Sequence, residues 1–168
     1  MLKFLSSKIM AWTLIVSLLT FYAILIVVNI PAPFMGLEFD KGETPKLWYA
    51  PPGFVIPVVW FILFTLLGIG RYNLTLTEMN NYQWWLYGLA FLCAAYAYYT
   101  LGLAKLTNIS ALWFGLIGNI VVILFAVFIV LKLLPINRTA ALLTIPVVLW
   151  TAFASLIVIG EMKLEKLL

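Results

Sequence analysis

Two proline–tryptophan pairs set in apolar surroundings are the residues whose types and spacing could do chemistry. One is PVVW, Pro57 to Trp60, and the other is PVVLW, Pro146 to Trp150. Steps of three and four residues put Pro57, Trp60, Phe64 and Gly68 on one helical face, and Ala154 falls one turn beyond Trp150. Trp60 stands eight residues past Pro52, about 12 Å along a helix, and Trp150 ten past Ala140, about 15 Å. In segments entering from opposite faces of a core about 30 Å thick, the two indoles reach similar depth. A proline inside a helix leaves a carbonyl one turn earlier without its N–H and bends the helix. In lipid that carbonyl must meet protein, water or a ligand. Two kinked helices, each with a mid-depth indole, therefore predict an aromatic cavity; indoles that simply fill a helix-bundle core are the alternative, and spacing leaves both open.

Other chemistry is excluded by what the chain lacks. There is no histidine and one cysteine, Cys93, so nitrogen and sulfur metal sites, axial-His haem, catalytic triads and Cys–His pairs have no residues to build them; no metal site is expected. No carboxylate pair is placed for acid–base work, and no glycine-rich phosphate loop is present. Basic residues sit at segment ends rather than in a stripe beside polar readers, which argues against nucleic acid as a partner.

The elements that must position the indoles are membrane spans. Of 168 residues, 65% are hydrophobic and 10% charged, and the mean hydropathy is +1.14, so the solvent for most of the surface is lipid. We read an all-α integral membrane protein, multi-pass, as a single five-transmembrane-helix bundle over 1–168. The uncharged runs place the spans at about 9–30, 52–70, 83–104, 109–131 and 140–160. The first run is long for a signal peptide and has no small-x-small site before Pro31, which favours a retained span. Pro51-Pro52 suits the entrance of the second helix. Ala90, Ala94, Tyr98 and Gly102 form a small-residue seam along the third, while Trp84 and Trp85 mark an interface. Residues 31–51, punctuated by Pro and Gly, form a loop long enough to act as a lid.

No span carries Asp, Glu, Lys or Arg in its central two turns, which argues against an ion- or proton-coupled transporter. Five spans put the termini on opposite sides. Lys3, Lys8, Arg71, Lys132 and Arg138 then share the N-terminal side, while Lys41, Lys46, Lys105, Lys163 and Lys166 share the other. This equal division leaves the orientation open.

Two motifs carry a family resemblance across almost the whole chain. PPGFVIPVVWFILFTLLGIGRY follows the first loop, and IPVVLWTAFASL lies in the last span. With these, the chain resembles the translocator protein family, the tryptophan-rich sensory proteins (TspO/MBR) that include the peripheral benzodiazepine receptor. The resemblance implies a five-helix bundle, often a homodimer, binding porphyrins, sterols or synthetic ligands between its helices under the first loop. On matching positions Pro51, Trp60, Phe64, Trp150 and Ala154 would be pocket residues and Trp48 the lid tryptophan. Some bacterial relatives degrade protoporphyrin in light; Trp60 and Trp150 would be the matching indoles, stacking on the macrocycle and donating electrons to its excited state. The family's asparagine after the last Leu is Ile157 here. The sterol-associated pattern needs a tyrosine that is absent between Leu156 and Lys163.

The expected function is thus a membrane receptor or sensor for a flat hydrophobic ligand, above all a porphyrin-type tetrapyrrole, with no cofactor required. Light-dependent porphyrin degradation at the same residues is its enzymatic extension. The alternatives are a structural or assembly subunit of a membrane complex, or a carrier of sterol or lipid without catalysis.

Overall fold

A computed structural model describes residues 2–37, 47–77 and 79–168, with side chains from Met10 onward except that of Asn80. Among the described residues every regular element is helical. The α-helices are α1 (Leu2–Asn29), the single turn α2 (Pro31–Phe34), α3 (Val55–Leu76), α4 (Gln83–Ala94), α5 (Leu103–Thr107), α6 (Ala111–Leu133) and α7 (Arg138–Leu164). Four helical stretches, Met10–Phe34, Val55–Leu76, Ala111–Leu133 and Arg138–Leu164, are long and apolar enough to cross a membrane. The loop expected over 31–51 is described at its two ends only; its acidic middle, 38–46, lies outside the described residues.

The third expected span, 83–104, is not one straight helix. α4 ends at Ala94, a π-helical turn occupies Tyr98–Gly102, and α5 follows; the pair Gln83–Ala94 and Tyr98–Thr107 is bent by 53°. Among the described residues the count is therefore four candidate spans, or five if the bent pair crosses as one. The cause lies in three tyrosines with different neighbours. The Tyr98 hydroxyl donates to Val28 O on α1 at 2.7 Å, while Tyr96 abuts Gly115 and Tyr99 abuts Gly118, both on α6. Serving α1 and α6 from four consecutive positions needs the wider π turn.

Pro57 also differs from expectation. Pro51 to Phe54 precede the helix, with Val55 N donating to Pro52 O at 2.9 Å, so Pro57 falls in the first turn of α3. There its missing N–H breaks no helical bond, and it does not kink the helix. Pro146, by contrast, lies inside α7. Of the two kinks expected, the first is thus removed by where the helix begins.

α6 and α7 form the most extensive helix pair. Gly115, Asn119, Val122, Ala126, Ile129 and Leu133 are buried on α6 at alternating steps of four and three. Ala140, Thr144, Val147, Thr151, Val158 and Met162 answer on α7. That 3.5-residue period is the one that keeps two antiparallel helices in register along a shared seam. Ser110 and Asn137 cap the starts of α6 and α7 by accepting from Leu112 N and Ala140 N. α1 packs on α3 where Gly68 brings the backbones together; a Cβ there would stand 3.3 Å from Leu18 Cα.

Hydrogen bonds fix the two ends of the bundle. At one end Arg71 reaches Ser17 and Gln83, and Asn137 Nδ2 donates to Asn73 O at 3.1 Å. At the other, Lys105 Nζ donates to the carbonyls of Met35 and Gly36, and the Tyr49 hydroxyl donates to Leu156 O at 3.4 Å.

Candidate functional site: an apolar groove between α3 and α7

The inward face of α3 changes character along its length. Pro57 is exposed, Trp60 half-buried, and Phe64 and Gly68 are buried, as the helix runs into the core. Beside this face, α3 and α7 leave a groove of about 380 Å³. Val59, Ile62, Leu63 and Leu66 form its α3 wall; Pro146, Leu149, Trp150 and Phe153 form its α7 wall. Among the described residues no charged side chain lines it, and the Trp150 indole N–H is its one hydrogen-bonding side-chain group. Ile62 and Leu149, 50% and 65% exposed, stand at its rim, so it opens sideways on the apolar surface rather than enclosing a cavity.

The α7 wall follows from helical spacing. Pro146, Leu149, Trp150 and Phe153 recur at intervals of three and four, so they share one stripe, and the Trp150 and Phe153 rings lie 5.7 Å apart at 45°. Pro146 supplies no N–H to the carbonyl one turn back, which softens the helix beside the groove. Ala154, half-buried and one turn beyond Trp150, keeps the neighbouring volume small.

The sequence-expected residues are distributed as follows. Trp150 stands in the groove wall. Trp60 lies within the 59–66 run at the same level but turns toward the core, edge-on to Phe64 at 6.3 Å and 72°. Phe64 is fully buried and belongs to the central core cluster. The structure thus brings Trp60 and Phe64 together on the inner side and gives the groove to Trp150. Pro51 is half-buried outside α3, and Trp48 is 94% exposed, edge-on to Tyr49 at 5.5 Å.

Residues 47–51 are fastened by Tyr49 rather than by Trp48. The Tyr49 hydroxyl reaches Leu156 O, and Leu47 and Tyr49 press on Gly160 so closely that a Cβ there would stand 2.6 Å from Leu47 Cδ1 and nearer still to the Tyr49 hydroxyl. Leu156 is six residues past Trp150, so the loop end is seated about 9 Å along α7 from the indole. Neither this seat nor the α3 wall emerged from sequence reasoning. Phe153, three residues after Trp150, could have been found by continuing the aromatic stripe. Val59, Ile62 and Leu66 carried no signal, because a groove-lining aliphatic and a lipid-facing one are the same residue types.

Elsewhere in the bundle, Tyr99 Oη, Asn119 Nδ2 and Thr151 Oγ1 are buried without a hydrogen-bond partner among the described residues. A second groove, about 240 Å³, lies beside Tyr99 and Gly118. No group of His, Cys, Asp or Glu among the described residues could hold a metal ion.

Comparison with protein families finds that residues 39–161 match the TspO/MBR family model, which is most of the chain. No curated protein matches the sequence.

Proposed function

Since the chain belongs to the TspO/MBR family, we propose that this integral, multi-pass membrane protein is a receptor for flat hydrophobic ligands of the porphyrin type, bound along the α3/α7 groove. The observation that carries the reading is the groove itself: two aromatic rings in an otherwise aliphatic wall, open to the side from which a lipid-soluble ligand arrives. An apolar lining with rings on one side suits a tetrapyrrole, whose face is a large π surface and whose edge is apolar apart from its carboxylates. Trp150 supplies the stacking face. Trp60, backed by Phe64, supports the helix face behind it. The Leu47–Pro51 segment seated on α7 is the strap over the groove's nearer end. The same reading takes the bent pair as one crossing, for five spans, and a homodimer as the assembly.

Titration of the purified protein with protoporphyrin IX, followed by the Soret shift, tests it. A stacked aromatic pair contributes about 0.5–1.5 kcal/mol, so Trp150→Phe should weaken binding roughly two- to tenfold. Trp84→Phe should not, since Trp84 is 69% exposed at the far end of the bundle. Equal affinity of Trp150→Phe and the unaltered protein would refute the assignment. Light-dependent breakdown of the bound porphyrin is the second reading, favoured by the indole standing in the wall itself, where it could donate an electron to an excited macrocycle.

A further inference from the structure

At the opposite end of the bundle a guanidinium is held in place with three of its five donors unspent among the described residues. Arg71, near the end of α3, donates Nε–H to Gln83 Oε1 at 3.0 Å and Nη1–H to Ser17 Oγ at 2.8 Å. Ser17 is fully buried on α1 and donates its own hydroxyl to Thr13 O at 2.8 Å, which fixes the anchor. Both acceptors are neutral, and no carboxylate meets Arg71 among the described residues. A guanidinium has five N–H donors, which leaves three, one on Nη1 and two on Nη2. Open donors on a half-buried cation at a membrane boundary are met by water or by an anion, and an anion also neutralises the charge.

Depth and charge identify that anion. Gln83 directly precedes Trp84 and Trp85, 69% and 41% exposed, and such an indole belt marks headgroup level. Lys132 and Arg138 stand at the same end, which Asn137 ties to α3 through Asn73 O. Five of the six acids fall at 38–43 or 161–165, away from this end in the sequence; the sixth, Glu78, is outside the described residues. Among the described residues, Arg71, Lys132 and Arg138 therefore gather positive charge at this end. We propose that Arg71, aligned by Ser17 and Gln83, takes the phosphate of an anionic lipid headgroup, its open Nη N–H groups donating to the phosphate oxygens. A zwitterionic headgroup brings its own cation into this positive field and is disfavoured.

The test is a competition, which reads selectivity rather than stability. The purified full chain is equilibrated with equal phosphatidylglycerol and phosphatidylcholine, and retained lipid is counted by native mass spectrometry. The unaltered protein should prefer phosphatidylglycerol. A basic residue near the surface contributes about 1 kcal/mol toward anionic lipid, so Arg71→Gln should lower the preference roughly fivefold. Arg71→Lys should keep part of it and Ser17→Ala should reduce it. Arg138→Gln and Lys132→Gln should each leave most of it; a loss in either equal to that of Arg71→Gln would overturn the site in favour of a diffuse basic surface. No preference, or one unchanged in Arg71→Gln, would overturn the proposal outright. A several-fold rise in Glu78→Gln would do the same, by showing the guanidinium already neutralised within the chain. Inorganic phosphate competing as well as phosphatidylglycerol would overturn the lipid as source and leave a soluble anion in its place.

Discussion

Gly118→Ala tests whether α6 meets the bent α4–α5 segment as described. A methyl built on Gly118 would stand 3.0 Å from Tyr99 Cδ2 and 3.1 Å from Cζ, and closer still to Cε2. The ring has little freedom to retreat. It is edge-on to Tyr96 at 5.5 Å and 76°, and Tyr96 in turn lies against Gly115. Overpacking of this kind costs about 1–3 kcal/mol. Alanine for glycine inside a helix returns about 0.8–1 kcal/mol, so the net loss is ~0–2 kcal/mol. Gly88→Ala provides the comparison, because its methyl would meet only the Phe125 ring at 3.6 Å, an ordinary contact. The helix-propensity gain cancels between the two variants, leaving the overpacking term alone. At 2–4 °C per kcal/mol for a chain of this size, Gly118→Ala should melt roughly 6 °C below Gly88→Ala. Apparent melting temperatures in one detergent measure the gap. Adding Tyr99→Ala to Gly118→Ala should cost less than Tyr99→Ala alone, since the clash leaves with the ring. If Gly118→Ala melts at or above Gly88→Ala, the described approach of Tyr99 to α6 is wrong.

Three further outcomes are expected. Thr151→Val removes a buried hydroxyl that has no partner among the described residues, so stability should hold or rise by up to about 1 kcal/mol; a loss beyond 1 kcal/mol would show that the hydroxyl is bonded. Gly160→Val should push Leu47 and Tyr49 off α7 with little change in melting temperature, because both press with flexible ends. Losing that seat, including a hydrogen bond of about 0.5–1.5 kcal/mol, should speed protoporphyrin release a few-fold in stopped flow; an unchanged rate would separate the strap from the groove. Under illumination, Soret loss should slow more in Trp150→Phe than in Trp60→Phe, because Trp60 faces Phe64 rather than the groove; the reverse order would exchange their roles.

Much of the bundle was legible in the sequence because lipid imposes a simple rule: uncharged stretches of about 20 residues cross it. α1, α6 and α7 overlap the runs at 9–30, 109–131 and 140–160, with ends that differ from them by a few residues. What the rule does not reveal is where an apolar run stops being straight. Residues 83–104 are uncharged throughout, and the break after Ala94 depends on which neighbours Tyr96, Tyr98 and Tyr99 meet, a tertiary matter. The start of α3 was hidden likewise. Pro51-Pro52 resembles a first helical turn, but the turn through Gly53 and Phe54 intervenes, and Trp60 then stands only about 7.5 Å into its helix. At the groove, periodicity distinguished Trp150 by its type and depth. It did not give the direction of Trp60, because a ring on a half-buried stripe can turn to either side.

The sideways opening of the α3/α7 groove has a consequence for how affinity is expressed. A ligand that reaches Trp150 from the acyl region is in equilibrium with its own solution in the bilayer, not with the bulk water. The governing concentration is then the ligand's mole fraction in lipid or detergent. A Kd quoted in bulk units should rise in proportion to the amount of amphiphile present, and two laboratories using different detergent concentrations should disagree by that ratio while studying the same site.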